Sequence, residues 1–446
     1  MAKKLPEKAW VVTVDMGYGH QRAAYPLKSI AEGQIITANN YRGIPEKDKK
    51  IWQESRVFYE FISRFKMVPL IGNKIFEIYD KIQAVPKFYP RRDLSKGNTQ
   101  LKEIYVLFKT LEWGKHLIEK LAAKPLPFVT TFFITAMMAE YFNYPGEIYC
   151  VLCDADISRS WVPPRPKTSR IIYLASNKRV EERLKLYGVD PKKIYLTGFP
   201  LPEENVGQNL RNIKYDLGRR LIQLDPDKVY IKQFQKSIVS IVGRQNFRST
   251  PIRPLTITFA VGGAGAQRDL GAQILKSLKK DIYAGKIRIN LVAGSNADVN
   301  KFFRAATRAC RLLRKCNQGV KIIYAENKME YFKRFNRILR ETDILWTKPS
   351  ELSFYCALGL PIIIAPPIGS QEIFNQKWLQ SIGAGMDQDD PKYTNEWLYD
   401  WLKSGWLAEA AMQGYAESPK YGLYNIEKII FHKFKEAKKV QTILQY

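Results

Sequence analysis

WVVTVDMGYGHQRAA (Trp10–Ala24) is the stretch that decides the fold, because an apolar run ends there in two glycines and a histidine. The run Trp10–Val14 is rich in valine, which is typical of a strand buried on both faces. Gly17 and Gly19 allow the backbone to turn tightly, and the residues after them have helical character. The pattern predicts a strand, a turn and a helix, the unit from which doubly wound α/β sheets are built.

Nine further apolar runs repeat this pattern along the chain. Many are rich in valine and isoleucine, and amphipathic, helix-like stretches separate them, so we expect parallel strands joined by crossover helices. The runs are PFVTTFFIT, EIYCVLCD, RIIYLAS, KIYLTG, PLTITFAVGG, IRINLVAGS, VKIIYA, DILWTK and GLPIIIAPP.

The series of strands divides into two sets. A connection with proline and glycine, Tyr195–Gly207, closes the first set, and Arg253–Gln267 opens the second. A basic, helix-like segment lies between them, and the chain after Pro391 is helical and aromatic in character. The predicted domains are a Rossmann-like domain at 1–200, a hinge with a basic helical insertion at 201–254, a second Rossmann-like domain at 255–390, and C-terminal helices at 391–446.

The net charge of +28, from 71 Lys+Arg against 43 Asp+Glu, is spread along the chain. Such a surface attracts nucleic acid, anionic lipid headgroups or phosphorylated ligands, and charge alone does not choose among them. We find neither an apolar run of about 18 residues nor a signal peptide, and expect a cytoplasmic protein that can still lie on a membrane. The five scattered cysteines are expected to be buried, reduced thiols.

One segment, Val57–Arg92, breaks the alternation of strands and helices. Its aromatic and aliphatic residues recur at helical spacing, with lysines and arginines between and after them. Two readings are open. The segment is either a pair of helices that face the core or a hairpin that dips its apolar face into a bilayer interface.

Three loops carry the candidate chemistry. In the first, His20 stands at the start of a helix, where an imidazole can act as a base near neutral pH, although a lone histidine is more often structural. Arg22 occupies the place of the third glycine of a dinucleotide-binding loop, so the GxGxxG motif is absent. The second loop, VGGAGAQ (Val261–Gln267), suits a phosphate at a helix start, or serves only tight helix–strand packing.

The third loop lies within Asp343–Leu379, where Thr347 and Lys348 follow one strand and GSQEIFN follows the next. Amides and carboxylates at strand ends suit a polyhydroxylated ligand such as a sugar. The same residues are also compatible with ordinary polar loops.

Together the three loops resemble the glycosyltransferases of family 28, which have the GT-B fold. GYGH (Gly17–His20) is similar to the family's N-terminal glycine turn, VGGAGAQ to its donor loop, and QEIFN (Gln371–Asn375) to its QExxN signature. YLTGFP resembles the stretch before the family's hinge, and YAENKMEYF the loop whose backbone meets uracil. The resemblance implies two doubly wound Rossmann-like domains that face a cleft, with C-terminal helices.

The resemblance also implies which residues form each site. His20 or Asp15 would be the catalytic base, in an acceptor-side loop with Gly17, Tyr18, Gly19 and Arg22. The implied donor-binding residues are Gly262, Gly263, Ala264, Gly265, Ala266, Gly294, Ser295, Ala325, Lys348, Glu351, Gln371, Glu372 and Asn375.

The implied activity is inverting transfer from a nucleoside-diphosphate sugar, expected to be UDP-linked, to a hydroxyl of a membrane lipid such as diacylglycerol. The family implies neither a catalytic metal nor another cofactor. The expected partners are the nucleotide sugar, the lipid acceptor and an anionic membrane surface on the cytoplasmic side, and no nucleic acid. The alternatives are an inactive nucleotide-sugar-binding protein and, less favoured, a basic nucleic-acid-binding protein.

The sequence departs from the family at several places, and two of them affect predicted site residues. Phe354 stands where many members have a glutamate that contacts the ribose. Glu351, one turn earlier, either takes that role or caps the helix that follows it. Tyr18 replaces a usual glycine and narrows the acceptor loop.

Overall fold

The computed structural model of the chain describes residues 7–54, 85–247, 250, 253–262, 265, 267–315 and 318–431. The chain forms two compact units. The first consists of Met1–Leu201, Ile368–Asn375 and Tyr421–Tyr446, and the second of Pro202–Pro367 and Gln376–Lys420. The first unit therefore includes two pieces from the C-terminal part of the sequence.

Within the described residues, the strands form two six-stranded sheets in which all neighbouring strands are parallel. They are β1 Trp10–Thr13, β2 Ile36–Thr37, β3 Phe128–Thr130, β4 Ile148–Val151, β5 Ile171–Ala175, β6 Ile194–Leu196, β7 Leu255–Ala260, β8 Ile287–Gly294, β9 Val320–Tyr324, β10 Ile344–Thr347, β11 Ile362–Ile364 and β12 Gly385–Asp387.

Helices follow most of these strands, as crossover connections require. They are α1 Tyr18–Ala24, α2 Thr99–Leu111, α3 Lys115–Ala122, α4 Phe133–Tyr141, α5 Lys178–Leu186, α6 Glu203–Val206, α7 Arg211–Leu224, α8 Val229–Val242, α9 Arg268–Ser277, α10 Lys279–Tyr283, α11 Ala297–Ala309, α12 Lys328–Leu339, α13 Ser370–Ser381, α14 Thr394–Lys403, α15 Trp406–Glu417 and α16 Gly422–Ile430. Residues 46–54 are helical as well.

Asparagine side chains set the start of four helices. Asn98, Asn177, Asn296 and Asn327 accept hydrogen bonds from backbone N–H groups in the first turns of α2, α5, α11 and α12. An asparagine at this position satisfies a donor that the helix itself leaves unpaired. The short polar residue before each of these helices therefore determines where it begins.

The sheet of the first unit has the order β2-β1-β3-β4-β5-β6. The strand order reverses between β1 and β3, and in open α/β sheets ligands bind at such a switch point, beyond the carboxyl ends of the strands. The sheet's core includes Val11, Val129 and Leu174, and Ile426 and Ile430 of α16 pack in the same cluster. The helix near the end of the sequence thus completes the core of the first unit.

The sheet of the second unit has the order β12-β11-β10-β7-β8-β9. This is the Rossmann order 3-2-1-4-5-6 read from the other edge, and it has its switch point between β7 and β10. All six residues of β7 are buried, as a central strand requires.

The two parallel sheets confirm the predicted two-domain α/β architecture and fit the GT-B fold. Each of the ten apolar runs contains a strand, although the last three residues of PFVTTFFIT belong to helix α4. The sequence analysis missed β2 and β12, which are short edge strands. The predicted helices at 208–251 and after Pro391 are present as α7, α8 and α14 to α16.

Most of the segment predicted as a core-facing pair or a membrane hairpin, residues 57–84, lies outside the described residues. The domain boundaries also stay a prediction. In the part of the chain that the structure describes, no helix is both long enough and apolar enough to cross a bilayer.

Four of the five cysteines lie among the described residues, and all four are free thiols. Cys150, Cys153 and Cys356 are buried as expected, and burial raises the pKa of Cys356 to about 12. Cys310 is only half-buried, so the expectation that every thiol is buried was wrong for it. It is the residue that follows the last residue of α11.

Candidate functional sites

The glycine turn after β1 lies at the switch point of the first sheet. Gly17 has φ +112° and is the residue before α1, a backbone conformation that favours glycine. The side-chain amide of Asn39 brackets Asp15, since its Oδ1 accepts from the Asp15 N–H at 2.8 Å and its Nδ2 donates to the Asp15 carbonyl at 3.2 Å. The loop after β2, which carries Asn39, therefore fixes the start of the glycine turn.

The His20 ring lies over the adjacent strand end, that of β3. Its Nδ1 is 2.8 Å from the carbonyl oxygen of Thr131 and 3.4 Å from Sγ of Cys153. Its ring packs edge-on against Phe132, with 4.8 Å between centroids, and lies 6.0 Å from the Trp161 ring. The structure thus places this histidine, half-buried, among three strand-end loops of one unit.

The other residues of the acceptor-side loop occupy different environments. Gly17 is exposed and Gly19 is half-buried. Tyr18 and Arg22 are buried, and the guanidinium carbon of Arg22 lies 6.0 Å from the centre of the Tyr18 ring. Tyr18, which replaces a usual glycine, is thus a buried residue with Arg22 near its ring.

Asn375 of the predicted QExxN signature belongs to the first unit. It is completely buried, and its Oδ1 accepts a hydrogen bond from the Ala155 N–H at 2.7 Å. Its Nδ2 donates to Oδ1 of Asp154 at 3.2 Å. Both ends of the amide therefore bind the loop after β4, a contact between residues more than 200 positions apart that sequence reasoning missed.

The same loop contains a buried ion pair. Asp156 and Arg183 are 1% and 0% exposed at their side chains, and the guanidinium donates to both carboxylate oxygens at 2.8 Å. Arg179 donates to the carboxylate as well, at 3.1 Å. A bidentate pair of this kind has strict geometry, so it holds the loop that also carries Cys153 and Asp154.

In the second unit, the turn after β7 and the residue after β10 meet at the switch point. Gly262 has φ +74°, and a Cβ placed on it would lie 3.0 Å from Cε of Lys348. The stem of the lysine therefore crosses the glycine turn closely. An ammonium group on this stem supplies positive charge at the end of the sheet where phosphates bind in this topology.

The neighbouring loops of the second unit complete this region. A Cβ on Gly265 would come within 2.4 Å of Val299 Cγ2, so the glycine allows the turn to pack against α11. The Gly294 carbonyl accepts from the Ala325 N–H at 3.1 Å, which joins the ends of β8 and β9. Ser295 follows Gly294 and is half-buried. The structure thus places five of the predicted residues at the carboxyl ends of the strands of one sheet: Gly262, Gly265, Gly294, Ala325 and Lys348.

Glu351 and Phe354 lie on one short 3₁₀ helix, Glu351–Leu358. Phe354 is 3% exposed, and its ring packs 4.8 Å from that of Trp378. Phe354, which stands in place of the family glutamate, is therefore a core residue. Glu351 is also buried, at 7% exposure, and its two readings, ribose contact and helix cap, both remain predictions.

The remaining donor-side residues are placed only in part. Gln371 is half-buried in the first turn of α13, and Glu372 accepts from the Ile368 N–H at 2.7 Å, which closes the loop before this helix. Gly263, Ala264 and Ala266 lie outside the described residues. Their proposed contact with phosphate stays a prediction.

Residues 85–92, the part of the segment 57–92 that the structure describes, expose basic side chains. Phe88 is buried, with the guanidinium carbon of Arg179 3.8 Å from its ring centre. Tyr89 is 65% exposed, and Arg91 and Arg92 are exposed beside it. Phe88 therefore lies beneath Arg179, and the guanidinium carbon of Arg91 is 5.6 Å from the same ring.

Comparison with known proteins gives one family match and several distant relatives. Residues 298–426 match a family described as "Domain of unknown function (DUF6938)". A "Processive diacylglycerol beta-glucosyltransferase" of Bacillus licheniformis is 20% identical over 392 residues, which covers 84% of this chain and 82% of the relative.

Two solved structures are similar in fold at 11% identity. One is MurG of Acinetobacter baumannii, with a TM-score of 0.40 over 95% of this chain and 99% of that one. The other is the UDP-GlcNAc 2-epimerase of Neisseria meningitidis bound to UDP-GlcNAc, with a TM-score of 0.45 over 96% of this chain and 100% of that one.

The curated relative extends over most of the chain, as the motifs do, and the two sheets have the architecture that the motifs imply. The chain is a two-domain α/β protein of the GT-B type, similar to the glycosyltransferases of family 28.

Proposed function

We propose that the protein is an inverting glycosyltransferase that moves a sugar from a UDP-sugar to a hydroxyl of a membrane lipid such as diacylglycerol. The observation that carries the proposal is the position of His20 at the switch point of the first sheet, with Nδ1 on the Thr131 carbonyl. The similarity to the processive diacylglycerol beta-glucosyltransferase of Bacillus licheniformis supports transfer of a sugar to diacylglycerol.

The second unit is proposed to bind the donor. Its Rossmann strand order places the ligand beyond β7 and β10, where Gly262 turns under Lys348. Backbone amides of the turn and the lysine ammonium would bind the diphosphate. Gln371 and Glu372, the predicted sugar contacts, belong with Asn375 to the first unit, and the observed bonds of Asn375 favour a role in holding its own loop.

The proposed reaction is a single displacement. His20 accepts the proton of the acceptor hydroxyl, and the oxygen attacks the anomeric carbon from the face opposite the diphosphate. The bond between that carbon and the diphosphate oxygen breaks, its electron pair leaves with UDP, and the configuration inverts. Positive groups beside the departing diphosphate, Lys348 among them, lower the barrier because negative charge develops there. We propose that no metal or other cofactor takes part.

A peripheral position on the cytoplasmic face of a membrane is proposed for the same protein. The net charge of +28 supports attraction to anionic lipid, and Tyr89, Arg91 and Arg92 form an exposed basic surface with an aromatic ring. Each lysine or arginine near such a surface contributes about 1 kcal/mol. A few such residues would therefore be sufficient for reversible binding.

One observation favours a second function, a protein that binds nucleotide sugars without transferring them. Phe354 stands in the core where many family members have a ribose-binding glutamate. A weaker or altered grip on the donor would follow if Glu351 does not replace that carboxylate.

The test is incubation of the purified protein with a panel of UDP-sugars and liposomes that contain diacylglycerol and anionic phospholipid. The proposal predicts a sugar in the lipid phase with inverted anomeric configuration. Tight UDP-sugar binding without turnover would favour the second function. An isomerised UDP-sugar without a lipid product would contradict transfer, and salt-sensitive binding to nucleic acid alone would contradict both functions.

A further inference from the structure

Among the described residues, the Thr131 carbonyl and the Cys153 thiol face Nδ1 of His20, and they differ in whether they can donate a hydrogen bond. The Thr131 carbonyl oxygen, at 2.8 Å, can only accept a hydrogen bond. The Cys153 sulfur, at 3.4 Å, is both a weak acceptor and a weak donor. A proton on Nδ1 satisfies the carbonyl, whereas a lone pair there would face the lone pairs of the oxygen at hydrogen-bond distance.

The Thr131 carbonyl is held in place by the sheet. The Thr131 N–H donates to the Val12 carbonyl at 3.2 Å, as a continuation of the pairing between β1 and β3. Its hydroxyl lies 2.9 Å from that of Thr13, and both side chains are buried. Because buried hydrogen-bonded groups are costly to separate, this carbonyl is a fixed acceptor for the imidazole.

Two aromatic rings and a thiol lie around the half-buried imidazole. Phe132 packs against it at an interplanar angle of 66°, and Trp161 lies at 6.0 Å. Cys153, which is 2% exposed, occupies the space beside Nδ1. A half-turn of the ring about its own axis would replace the nitrogen at this position by a carbon, and the sulfur limits the room for that movement.

We propose that His20 is held with its proton on Nδ1 and its lone pair on Nε2, so that Nε2 is the proton acceptor, and that Cys153 is a positioning residue for the ring. The role of Nε2 as the base rests on the proposed function, whereas the tautomer does not. The thiol acts through the imidazole and does not touch the reacting atoms.

The chain makes the tautomer directly measurable, because it has only three histidines, His20, His116 and His432. The full-length protein is labelled with ¹⁵N-histidine and examined by NMR at a pH where the imidazoles are neutral, and His20→Gln identifies the signal of interest. We expect Nδ1 to show the shift of a protonated ring nitrogen and Nε2 that of an unprotonated one. The reverse assignment in the wild-type protein would overturn the proposal.

The role of Cys153 is tested with Cys153→Ala and Cys153→Ser. Loss of a weak sulfur contact corresponds to a change of about two- to fivefold. Cys153→Ala should add a second set of His20 signals and lower kcat by about that factor, with the KM for the donor unchanged. Cys153→Ser keeps a polar atom beside the ring and should restore one set of signals.

A Cys153→Ala protein with a single set of signals and wild-type kcat would refute the positioning role. Because the wild-type spectrum needs neither substrate nor turnover, the tautomer is tested even if the variant folds poorly. A protonated Nδ1 in a protein without transferase activity would leave the tautomer correct and refute the proposed function instead.

Discussion

Asn375 offers the clearest distinction between a residue that binds substrate and one that holds the fold. The family signature predicts a sugar contact, but the structure shows its amide between the Ala155 N–H at 2.7 Å and the Asp154 carboxylate at 3.2 Å. Asn375→Ala would leave the buried N–H without its acceptor, at a cost of about 1–3 kcal/mol, and would remove the bond to a half-exposed carboxylate that water can replace in part. We expect Asn375→Ala to lower the free energy of unfolding by about 2–4 kcal/mol.

For a unit of this size, 1 kcal/mol shifts the melting temperature by about 2–4 °C, so the first unit should melt about 5–15 °C lower. Near-UV circular dichroism during heating measures the shift, because Trp161 and Phe132 lie in that unit. Gln371→Ala, in the same helix but half-buried, is the control and should melt within about 2 °C of wild type. An Asn375→Ala protein with unchanged melting and weaker donor binding would refute the structural role.

Three further predictions concern the donor loop, a buried ion pair and a buried lysine. Gly262→Ala and Gly285→Ala impose similar backbone strain, at φ +74° and +71°, but only Gly262 lies against a lysine stem, so calorimetry should show weaker UDP-sugar binding for Gly262→Ala alone. Asp156→Asn leaves Arg183 buried without its carboxylate and should lower the free energy of unfolding by about 3–5 kcal/mol in urea titrations; an unchanged midpoint would contradict the buried pair. Burial lowers the pKa of Lys420 to about 8 from 10.5. Because the unfolded chain then binds more protons, this lysine makes stability rise between about pH 8 and 10.5 by up to about 3 kcal/mol, and Lys420→Met should remove that rise.

The strands were predictable because a parallel strand covered on both faces needs a continuous apolar run. WVVT and LTITFA meet that need, and both became central strands whose following turns lie at switch points. The edge strands β2 and β12 are two and three residues long and have one neighbour each, so little apolar sequence marks them.

The contacts of the sites were less predictable, since they join distant parts of the chain. The loop at Gly17–His20 and the turn at Gly262 could be found from glycine spacing after a strand. No local pattern indicates that Asn375 pairs with Asp154, or that the Cys153 thiol reaches an imidazole 133 positions earlier. Phe354 reads as a missing ligand in the motif, and only its packing on Trp378 shows why an aromatic residue stands there.

The central claim, that the protein transfers a sugar with His20 as base, is tested most directly by the turnover of His20→Ala. Rates of sugar transfer from a UDP-sugar to liposomal lipid are compared with donor affinity measured by calorimetry on the same preparations. Positioned proton transfer contributes about 10²–10⁴-fold, so the variant should lose that factor in kcat and keep its affinity for the donor. A folded His20→Ala protein that transfers sugar at the wild-type rate would contradict the account.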